Sequence, residues 1–470
     1  MKGYNLWSYA PYRPFFHNVG DIYICRIAPN ETTIHFEWLD IGAGDYSVFY
    51  RLRDEKDFIC YGKTQGTEFD ITNLEPETDY EFYVQAGEKT SLIRLARTGK
   101  TVGTVVNYLH PDDKVYSFSG RYLCSPSLVR HPDGFLLASM DLYASDHPQN
   151  LTLIFRSDDE GESWHYVSEL MPCFWGKMFI HKGELYMLSC STEYGDLLIG
   201  KSTDGGKTFS TPTVLLRGSC KSSVAGVHKN PQPPVEYEGR IWVTMEWGAW
   251  REGYHAAMIG SAPADEDLTD ASVWLFSEPV KYDQNWKGVA QGQSTGNIEG
   301  TLVVLPDGKL YNIMRYDMVR CTPNYGLVLA YSVNTEYPES PLEYNRAISL
   351  PGNHSKFMIR YDTVTNQYYT IISRILDSNH IGDRNLLTLM QSADAEHWSI
   401  VCDLLDYRDS DPHKVGFQYV DFFIEGEDLL WLCRTAFNNA ASYHDANYST
   451  FHRIHNFRKY LNSNDDSNMQ

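Results

Sequence analysis

Arginines in the second half of the chain recur just after pairs of apolar runs that are separated by a tight turn. They are Arg315, Arg374 and Arg434, with Arg384 on the run that follows the second of these. A planar guanidinium binds a carboxylate through two parallel hydrogen bonds, which a lysine ammonium cannot do. If the runs are neighbouring hairpins, these arginines can grip an acidic ligand. The alternative is that each pairs with a nearby acid, such as Asp317, Asp383 or Asp445, and braces the fold.

The corresponding points on the other runs carry acidic and aromatic residues. The carboxylates are Asp141, Glu193, Glu246 and Glu299. Glycoside hydrolysis usually takes two carboxyl groups, about 5–5.5 Å apart for retention and about 6.5–9.5 Å apart for inversion. These four can supply such a pair, bind an arginine or accept sugar hydroxyls. Further candidates for nucleophile, base or substrate contact are Tyr194, Tyr419, His228, Trp175, Trp247 and Lys356. The alternative for the aromatic residues is core packing.

The positions of all these residues follow from one repeated pattern, two apolar runs around a turn. Strong copies span 127–141, 299–315 and 419–434, and weaker copies span 177–189, 232–246 and 356–374. Six hairpins at a mean spacing of about 59 residues indicate a propeller with one four-stranded sheet per blade. The ends of such hairpins meet at one mouth of the central channel, so the residues above are expected to share one pocket. The segment Val115–Phe118 is predicted to complete the last blade.

A second motif repeats between strands. Ser157–Trp164 and Ser202–Phe209 both read Ser-x-Asp-x-Gly-x-x-aromatic, and Ser392–Trp398 is a shorter relative without the glycine. The pattern predicts a turn in which the aspartate accepts backbone N–H groups, the glycine allows positive φ, and the ring packs between sheets. The motif resembles the Asp box, or BNR repeat, of sialidases. Residues 105–458 are therefore similar to the six-bladed propellers of the sialidase superfamily, especially a bacterial sialidase-like group.

The resemblance implies an active site with assigned roles. Sialidases hold the substrate carboxylate with three arginines, use an aspartate as acid and base, and use a tyrosine–glutamate pair as nucleophile. Asp141 stands in a position similar to that of the sialidase acid. Cys124-Ser125-Pro126 stands where the first arginine of a sialidase would be. This departure weighs against sialic acid itself, though not against glycan cleavage.

The N-terminal region differs in character. Short alternating apolar runs between residues 22 and 97 predict a small β-sandwich. The segment Leu74–Val84, with Tyr80 as corner tyrosine and Trp38 as core tryptophan, resembles fibronectin type III domains. We therefore expect an all-β chain with a fibronectin III-like sandwich over 1–104, a six-bladed sialidase-like propeller over 105–458, and a polar tail over 459–470.

Composition limits the partners. The formal net charge is −21, from 40 Lys+Arg and 61 Asp+Glu, so nucleic acid and an anionic membrane surface are poor partners. The start of the chain does not resemble a signal peptide, no apolar run is long enough to span a membrane, and nine scattered cysteines indicate a cytoplasmic protein. The alternative is a secreted protein whose leader has been removed. No cysteine, histidine or acidic spacing matches a zinc site, and no cofactor is expected.

Three functions remain open at this point. The first is an exo-acting glycoside hydrolase on a terminal acidic sugar, gripped by the arginines. The second is a polysaccharide lyase at a uronic acid, where arginine neutralises the carboxylate and His228 or a tyrosine removes the α-proton. The third is a propeller that binds an acidic glycan without cleaving it.

Overall fold

The computed structural model describes residues 2–3, 7, 16–352 and 354–462, and the chain in these ranges is built from β-strands, as predicted. The helices of the described residues are three short 3-10 turns, Trp250–Glu252, Ala271–Val273 and Phe457–Asn462. None is long and apolar enough to cross a membrane. Most of the N-terminal stretch that was compared with a signal peptide lies outside the described ranges. So do residues 463–470 of the expected polar tail.

The N-terminal region forms two facing sheets. Its strands are β1 (Lys2–Gly3), β2 (Phe16–His17), β3 (Ile24–Pro29), β4 (Ile34–Trp38), β5 (Tyr46–Leu52), β6 (Ile59–Thr64), β7 (Glu68–Ile71), β8 (Asp79–Ala86), β9 (Lys89–Thr90) and β10 (Arg94–Arg97). One of the facing sheets has the order β3-β4-β7 and the other β10-β8-β5-β6, with β9 paired to β8, while β1 and β2 pair separately. Trp38 and Phe82 pack in the shared core, and the Tyr80 hydroxyl accepts a hydrogen bond from the Glu75 amide at 3.0 Å.

The rest of the described chain forms six larger antiparallel sheets. The first strands are β11 (Thr104–Tyr108); β12 (Tyr122–Arg130), β13 (Leu136–Tyr143), β14 (Thr152–Ser157) and β15 (His165–Leu170) in sheet I; β16 (Phe174–His181), β17 (Glu184–Cys190), β18 (Leu197–Ser202) and β19 (Thr213–Leu216) in sheet II; and β20 (Gly226–His228), β21 (Val235–Tyr237), β22 (Arg240–Ala249), β23 (Tyr254–Pro263) and β24 (Leu275–Phe276) in sheet III. The next strands are β25 (Gln291–Gln293), β26 (Asn297–Val304), β27 (Leu310–Tyr316), β28 (Arg320–Thr322), β29 (Leu327–Ser332) and β30 (Glu343–Ser349); β26, β27, β29 and β30 form sheet IV, and β25 pairs with β28. The last strands are β31 (Ile359–Asp362), β32 (Gln367–Ser373), β33 (Leu386–Ser392) and β34 (Ser399–Asp406) in sheet V, and β35 (Gly416–Glu425), β36 (Asp428–Ala436) and β37 (Tyr448–Ile454), which form sheet VI with β11.

Consecutive sheets contact each other through their first or second strands, and the last sheet contacts the first. Strand β12 touches β16 on one side and β35 on the other, and β26 touches both β22 and β31. Sheets II and III share one apolar cluster, and β32 contacts β35. The sheets therefore close into a ring with their first strands at the centre, which is the arrangement of a β-propeller.

The ring is closed by a different segment from the one predicted. Residues Thr104–Tyr108 pair antiparallel with β37 and form the outermost strand of sheet VI. Val115–Phe118 is a turn instead: the Ser119 amide bonds to the Tyr116 carbonyl at 2.8 Å, and Val115 and Tyr116 are buried in the core beside sheet I. The prediction for Val115–Phe118 was wrong because a short aromatic run reads the same whether it pairs in a sheet or packs from a turn.

The turns expected at the repeated Ser-x-Asp motifs have the predicted contacts. Asp159 accepts a hydrogen bond from the Ser163 amide at 2.9 Å, and Gly161 has a φ of +93°. Trp164 is fully buried and its ring lies 5.4 Å from that of Phe451 in sheet VI. The aromatic ring therefore packs between neighbouring sheets, on the outer side of the ring.

The N-terminal sheets are bound to the outside of the ring. Arg26 donates to the carbonyls of Val106 at 2.8 Å and Val105 at 3.1 Å, and to Glu37 at 2.8 Å. Arg94 is buried and pairs with Asp113 at 2.7 Å. These contacts reach β11, which is the outermost strand of sheet VI, and the loop that follows β11. Both lie far from the central strands of the ring.

A buried ion pair joins three sheets near the ring closure. Asp421 of sheet VI pairs with Lys177 of sheet II, their side chains being 1% and 2% exposed, and accepts the Leu128 amide of sheet I at 2.7 Å. Removing one partner leaves an uncompensated charge in the interior, which costs about 3–5 kcal/mol. We expect Lys177→Met to lower the urea midpoint of unfolding accordingly. The double variant Lys177→Met/Asp421→Leu should be less destabilised than Lys177→Met, and an unchanged midpoint in the single variant would contradict this role.

Candidate active site

Bulges in the central strands of sheets I, II, IV and VI present side chains at one mouth of the ring. In each of these strands the pairing register shifts at the bulge. One non-glycine residue of each bulge has positive φ. These residues are Ser125, Trp175, Glu299 and Tyr419, with φ between 50° and 58°. A bulge bends the strand and redirects its side chain, and positive φ is strained for such residues. The strain recurs at equivalent places and two of these residues, Glu299 and Tyr419, meet directly.

Glu299, Tyr419 and Arg315 form a compact triad. One oxygen of the buried Glu299 carboxylate accepts the Tyr419 hydroxyl, and the other accepts Arg315. Burial alone would raise the pKa of Glu299, but the charge of Arg315 and the Tyr419 bond lower it. Burial and the Glu299 charge raise the pKa of Tyr419. The phenol therefore keeps its proton at rest, with an ionised carboxylate placed to receive it.

Two further arginines lie beside this triad. Arg384 donates to Gln418 and to the His354 carbonyl, and Arg434 donates to the His444 carbonyl. The Arg434 guanidinium carbon is 5.2 Å from the centre of the Tyr419 ring. Neither arginine has a carboxylate within 4.0 Å among the described residues. The buried Nε atoms of both also lack a hydrogen-bond partner there.

The charges of these arginines act on each other. Burial, followed by the positive charges of Arg315 and Arg434, lowers the pKa of Arg384 to about 10. Of these three guanidinium groups, only that of Arg315 pairs with a carboxylate, Glu299. Such a site carries excess positive charge at short range in a chain that is acidic overall, and attracts an anion.

Arg374 and Lys356 do not join this group. Arg374 binds both oxygens of Asp403, at 2.7 and 2.8 Å, on the outermost strand of sheet V. The prediction that Arg374 enters the pocket was wrong. Because the first strand of sheet V begins only at Ile359, the Arg374 amide bonds to the third strand instead. Lys356 is buried with its ammonium on the Val420 carbonyl at 3.1 Å, and burial lowers its pKa to about 7. It lies in the channel wall rather than at the mouth.

Sheet III contributes an imidazole–carboxylate pair. His228 Nδ1 lies 2.6 Å from Glu246 Oε2, and both side chains are buried. Burial alone would lower the pKa of His228, but the Glu246 bond and the charges of Glu246, Glu299 and Glu193 raise it. The imidazole therefore stands among three carboxylates and close to the Tyr419–Glu299 pair.

Tyr194 supports this region without being accessible. It is fully buried, and its hydroxyl accepts the Trp250 amide and bonds His255 Nε2, both at 3.1 Å. The His255 ring is 5.0 Å from the His228 ring. Tyr194 was expected as nucleophile or base, but its complete burial keeps its hydroxyl from reaching a ligand at the mouth.

Glu193 is the partly exposed acid of the mouth. Burial raises the pKa of its carboxyl, and the neighbouring His228 partly opposes this. Its negative charge also acts on Tyr143, whose ring packs on Arg434 at 5.5 Å. Glu193 therefore lies near the Tyr143–Arg434 contact, and its raised pKa favours the protonated form that a general acid needs.

Asp141, Trp175 and Trp247 occupy less accessible places than predicted. Asp141 is fully buried and accepts the Thr152 hydroxyl at 2.5 Å, so it cannot reach a ligand as the acid. Trp175 is 8% exposed and lies with its ring 4.3 Å from that of His228. Trp247 packs on the core shared by sheets II and III, because adjacent residues of a strand face opposite ways and Glu246 takes the mouth side.

The buried Asp141 predicts a pH-dependent stability. Burial raises its pKa from 3.8 to about 7, so its stabilising neutral form is fully present below pH 4 and is lost as pH rises to about 7. Each pH unit in that window costs about 1.4 kcal/mol. Relative to the wild type, Asp141→Asn should therefore gain about 3–4 kcal/mol of unfolding free energy between pH 4 and 8. Urea midpoints across this range measure it, and parallel pH profiles for the two proteins would refute it.

Several residues at the mouth escaped the sequence analysis. Trp250 is 45% exposed with its ring 4.5 Å from that of His255, and Tyr143, His354 and Tyr443 flank the arginines. Tyr143 is the last residue of its strand, and the other three lie in loops beyond the ends of strands. The spacing of the hairpins could have indicated these loops, but not which of their side chains turn inward.

Comparison with known proteins agrees with the fold. No protein-family model and no curated protein sequence matches the chain. Among solved structures, an α-L-arabinanase of Penicillium chrysogenum in complex with arabinobiose is similar over 76% of this chain and 98% of its own, at 14% identity and a TM-score of 0.50. A mutant α-L-arabinofuranosidase of Fusarium graminearum with an iminosugar inhibitor has the same coverage and identity and a TM-score of 0.51. These likenesses show a shared propeller fold.

Proposed function

We propose that this protein is a carbohydrate-active enzyme, a sialidase-like glycoside hydrolase that removes a terminal acidic sugar from a glycan. The observation that carries the proposal is the Tyr419–Glu299–Arg315 triad beside two arginines that lack carboxylate partners. The sequence resemblance to sialidases predicts a tyrosine–glutamate pair and an arginine cluster, and these residues meet at one mouth.

The arginines would bind the sugar carboxylate. Arg384 and Arg434 have buried donors without partners, and a buried unpaired donor costs free energy that a bound carboxylate would recover. Arg315 would contribute from the other side while holding Glu299. The acidic class of the substrate rests on this cluster.

The reaction would proceed with retention. The Tyr419 oxygen attacks the anomeric carbon while Glu299 accepts the phenolic proton, and Glu193 protonates the glycosidic oxygen as that bond breaks. A water molecule, deprotonated by Glu193, then attacks the glycosyl–tyrosine intermediate. Its oxygen joins the anomeric carbon, and Tyr419 leaves and regains a proton from Glu299. Each step uses a group that lies at the mouth.

A lyase remains the second candidate because of one observation, the buried His228–Glu246 pair. In that reaction the arginines neutralise a uronate carboxylate, an imidazole or phenolate removes the α-proton, and the glycosidic oxygen leaves from the β-carbon. The Glu246 bond and the surrounding carboxylates raise the pKa of His228, which stabilises the protonated imidazole and disfavours it as the base. This favours hydrolysis.

One experiment separates the alternatives. The purified chain is incubated with acidic oligosaccharides that end in sialic acids or uronic acids, and the products are weighed by mass spectrometry. Hydrolysis adds one water across the products, whereas elimination adds none and leaves an unsaturated sugar with ultraviolet absorbance. Binding without either product would indicate a non-catalytic propeller and overturn the proposal.

We also propose the finer architecture. The six sheets are taken as six blades of a sialidase-like propeller, completed by β11, and the turns at 157–164 and 202–209 as Asp boxes. The two N-terminal sheets are taken as a fibronectin III-like unit, supported by the Tyr80 corner bond. The cytoplasm is proposed as its location, since the nine cysteines form no disulfide among the described residues.

A further inference from the structure

A cluster of ligand atoms lies where the N-terminal sheets meet sheet I, away from the mouth of the ring. His35 and Glu37 stand on β4, and Glu68 stands on β7. One ligand atom from each of these three comes within 4.8 Å of the others, the one such group among the described residues. His165, the first residue of β15 in sheet I, reaches the same place.

The spacing of these atoms suits a tetrahedral metal ion. His35 Nε2 lies 3.6 Å from Glu37 Oε1, and His165 Nδ1 lies 3.2 Å from the same oxygen and 3.9 Å from Glu68 Oε2. Zinc bonds of roughly 2.0–2.2 Å to nitrogen and oxygen in a tetrahedron place neighbouring ligand atoms about 3.3–3.5 Å apart. The three observed distances lie around that value, and the His35, Glu37 and Glu68 atoms are all within 4.8 Å of one another.

The strand register concentrates negative charge here. Glu37 is directly opposite Glu68, and His35 is opposite Asp70, in the β4–β7 pair. Like charges directly opposite each other destabilise a sheet. Arg26 binds Glu37, but three carboxylates against one guanidinium still leave two negative charges. A dication would balance them.

The outer contacts hold the ligands in the orientation that a metal needs. His35 Nδ1 bonds to the Asp70 carboxylate at 2.9 Å, which leaves Nε2 facing the other ligands. A carboxylate on the second nitrogen of a histidine is the usual support of a zinc ligand. Glu37 is fixed through its other oxygen by the Tyr166 amide at 3.1 Å.

We propose that His35, Glu37, Glu68 and His165 form a structural binding site for a divalent transition metal, best suited to Zn²⁺, that ties the N-terminal sheets to the ring. Four protein ligands leave no open position, so the ion would brace the junction rather than catalyse. The sequence spacing could not indicate this site because the fourth ligand is about a hundred residues from the others, on another sheet.

The test is a metal titration of the full chain after dialysis against a chelator. A Cys60→Ser background removes an exposed thiol that would bind zinc. We expect one equivalent of Zn²⁺ to bind and raise the melting temperature, and Co²⁺ to give the intense visible absorption of a tetrahedral site. Glu68→Gln and His165→Asn should each weaken binding at least tenfold, and Asp70→Asn about 10–100-fold.

The matched control is His397→Asn, an exposed histidine beside a single aspartate, which should leave the titration unchanged. Both Glu68 and the His165 side chain are more than half exposed, so their replacement should not prevent folding. The absence of saturable Zn²⁺ binding by the Cys60→Ser protein would overturn the site. So would undiminished binding by the Glu68→Gln/His165→Asn double variant. Neither result depends on the proposed hydrolase activity.

Discussion

Replacing Tyr419 by phenylalanine is expected to lower kcat/KM for the cleaved acidic glycan by about 10²–10⁴-fold. The variant loses only the hydroxyl that Glu299 holds and that would attack the anomeric carbon. The aromatic ring remains against Arg434, so the pocket keeps its shape. The loss should therefore fall mainly on kcat, with KM little changed.

Initial rates over a range of substrate concentrations measure this effect. The matched control is Tyr361→Phe, which removes the hydroxyl of a 48% exposed tyrosine on sheet V and should leave both constants unchanged. A brief incubation with an activated substrate should label Tyr419 covalently in the wild type and leave the variant unlabelled. Wild-type kcat in Tyr419→Phe would show that Tyr419 takes no part in the reaction and would favour the lyase mechanism.

The second large effect is expected for the arginines that lack carboxylate partners. Arg384→Lys and Arg434→Lys keep a positive charge but lose the planar fork that binds both carboxylate oxygens. Losing a charge-assisted contact to a buried partner costs about 2–5 kcal/mol. Because each 1.36 kcal/mol is about a factor of ten, kcat/KM should fall at least tenfold in each variant.

The structure offers a matched control for this prediction. Arg374 was expected in the pocket from sequence but pairs with Asp403 on the outer strand of sheet V, so Arg374→Lys should retain wild-type kcat/KM. An oligosaccharide with the same linkage but an amide in place of the carboxylate should be a poor substrate for every protein. Wild-type turnover by both Arg384→Lys and Arg434→Lys would refute the carboxylate grip.

For several predicted site residues, the neighbours in sequence decide the position of the side chain. Glu299 and Tyr419 each precede the turn of an apolar hairpin by a similar interval, and so do Arg315 and Arg434 beyond it. In an antiparallel hairpin these intervals bring the paired residues together, and the register pairs Ile298 with Arg315 and Gln418 with Arg434. Local pairing is therefore enough to predict such contacts.

Other side chains were misplaced for reasons that lie beyond the local pattern. Trp247 and Glu246 are adjacent on one strand, and only the position of that strand in the ring decides which of them faces the mouth. Asp141 has the right place after its hairpin, yet sheet I and its neighbours cover it completely. Arg374 turns to Asp403, an acid on the far strand of its own sheet.

By itself the sequence determined the all-β class, the succession of hairpins and the residue types that gather near their ends. Apolar runs and turns specify these features within a few tens of residues. The tertiary structure alone decided that residues 104–108 close the ring, that bulges bring Tyr419 onto Glu299, and that His165 meets Glu37 across the junction. These outcomes depend on contacts between residues more than a hundred positions apart, and no local pattern encodes which distant strand a given edge will meet.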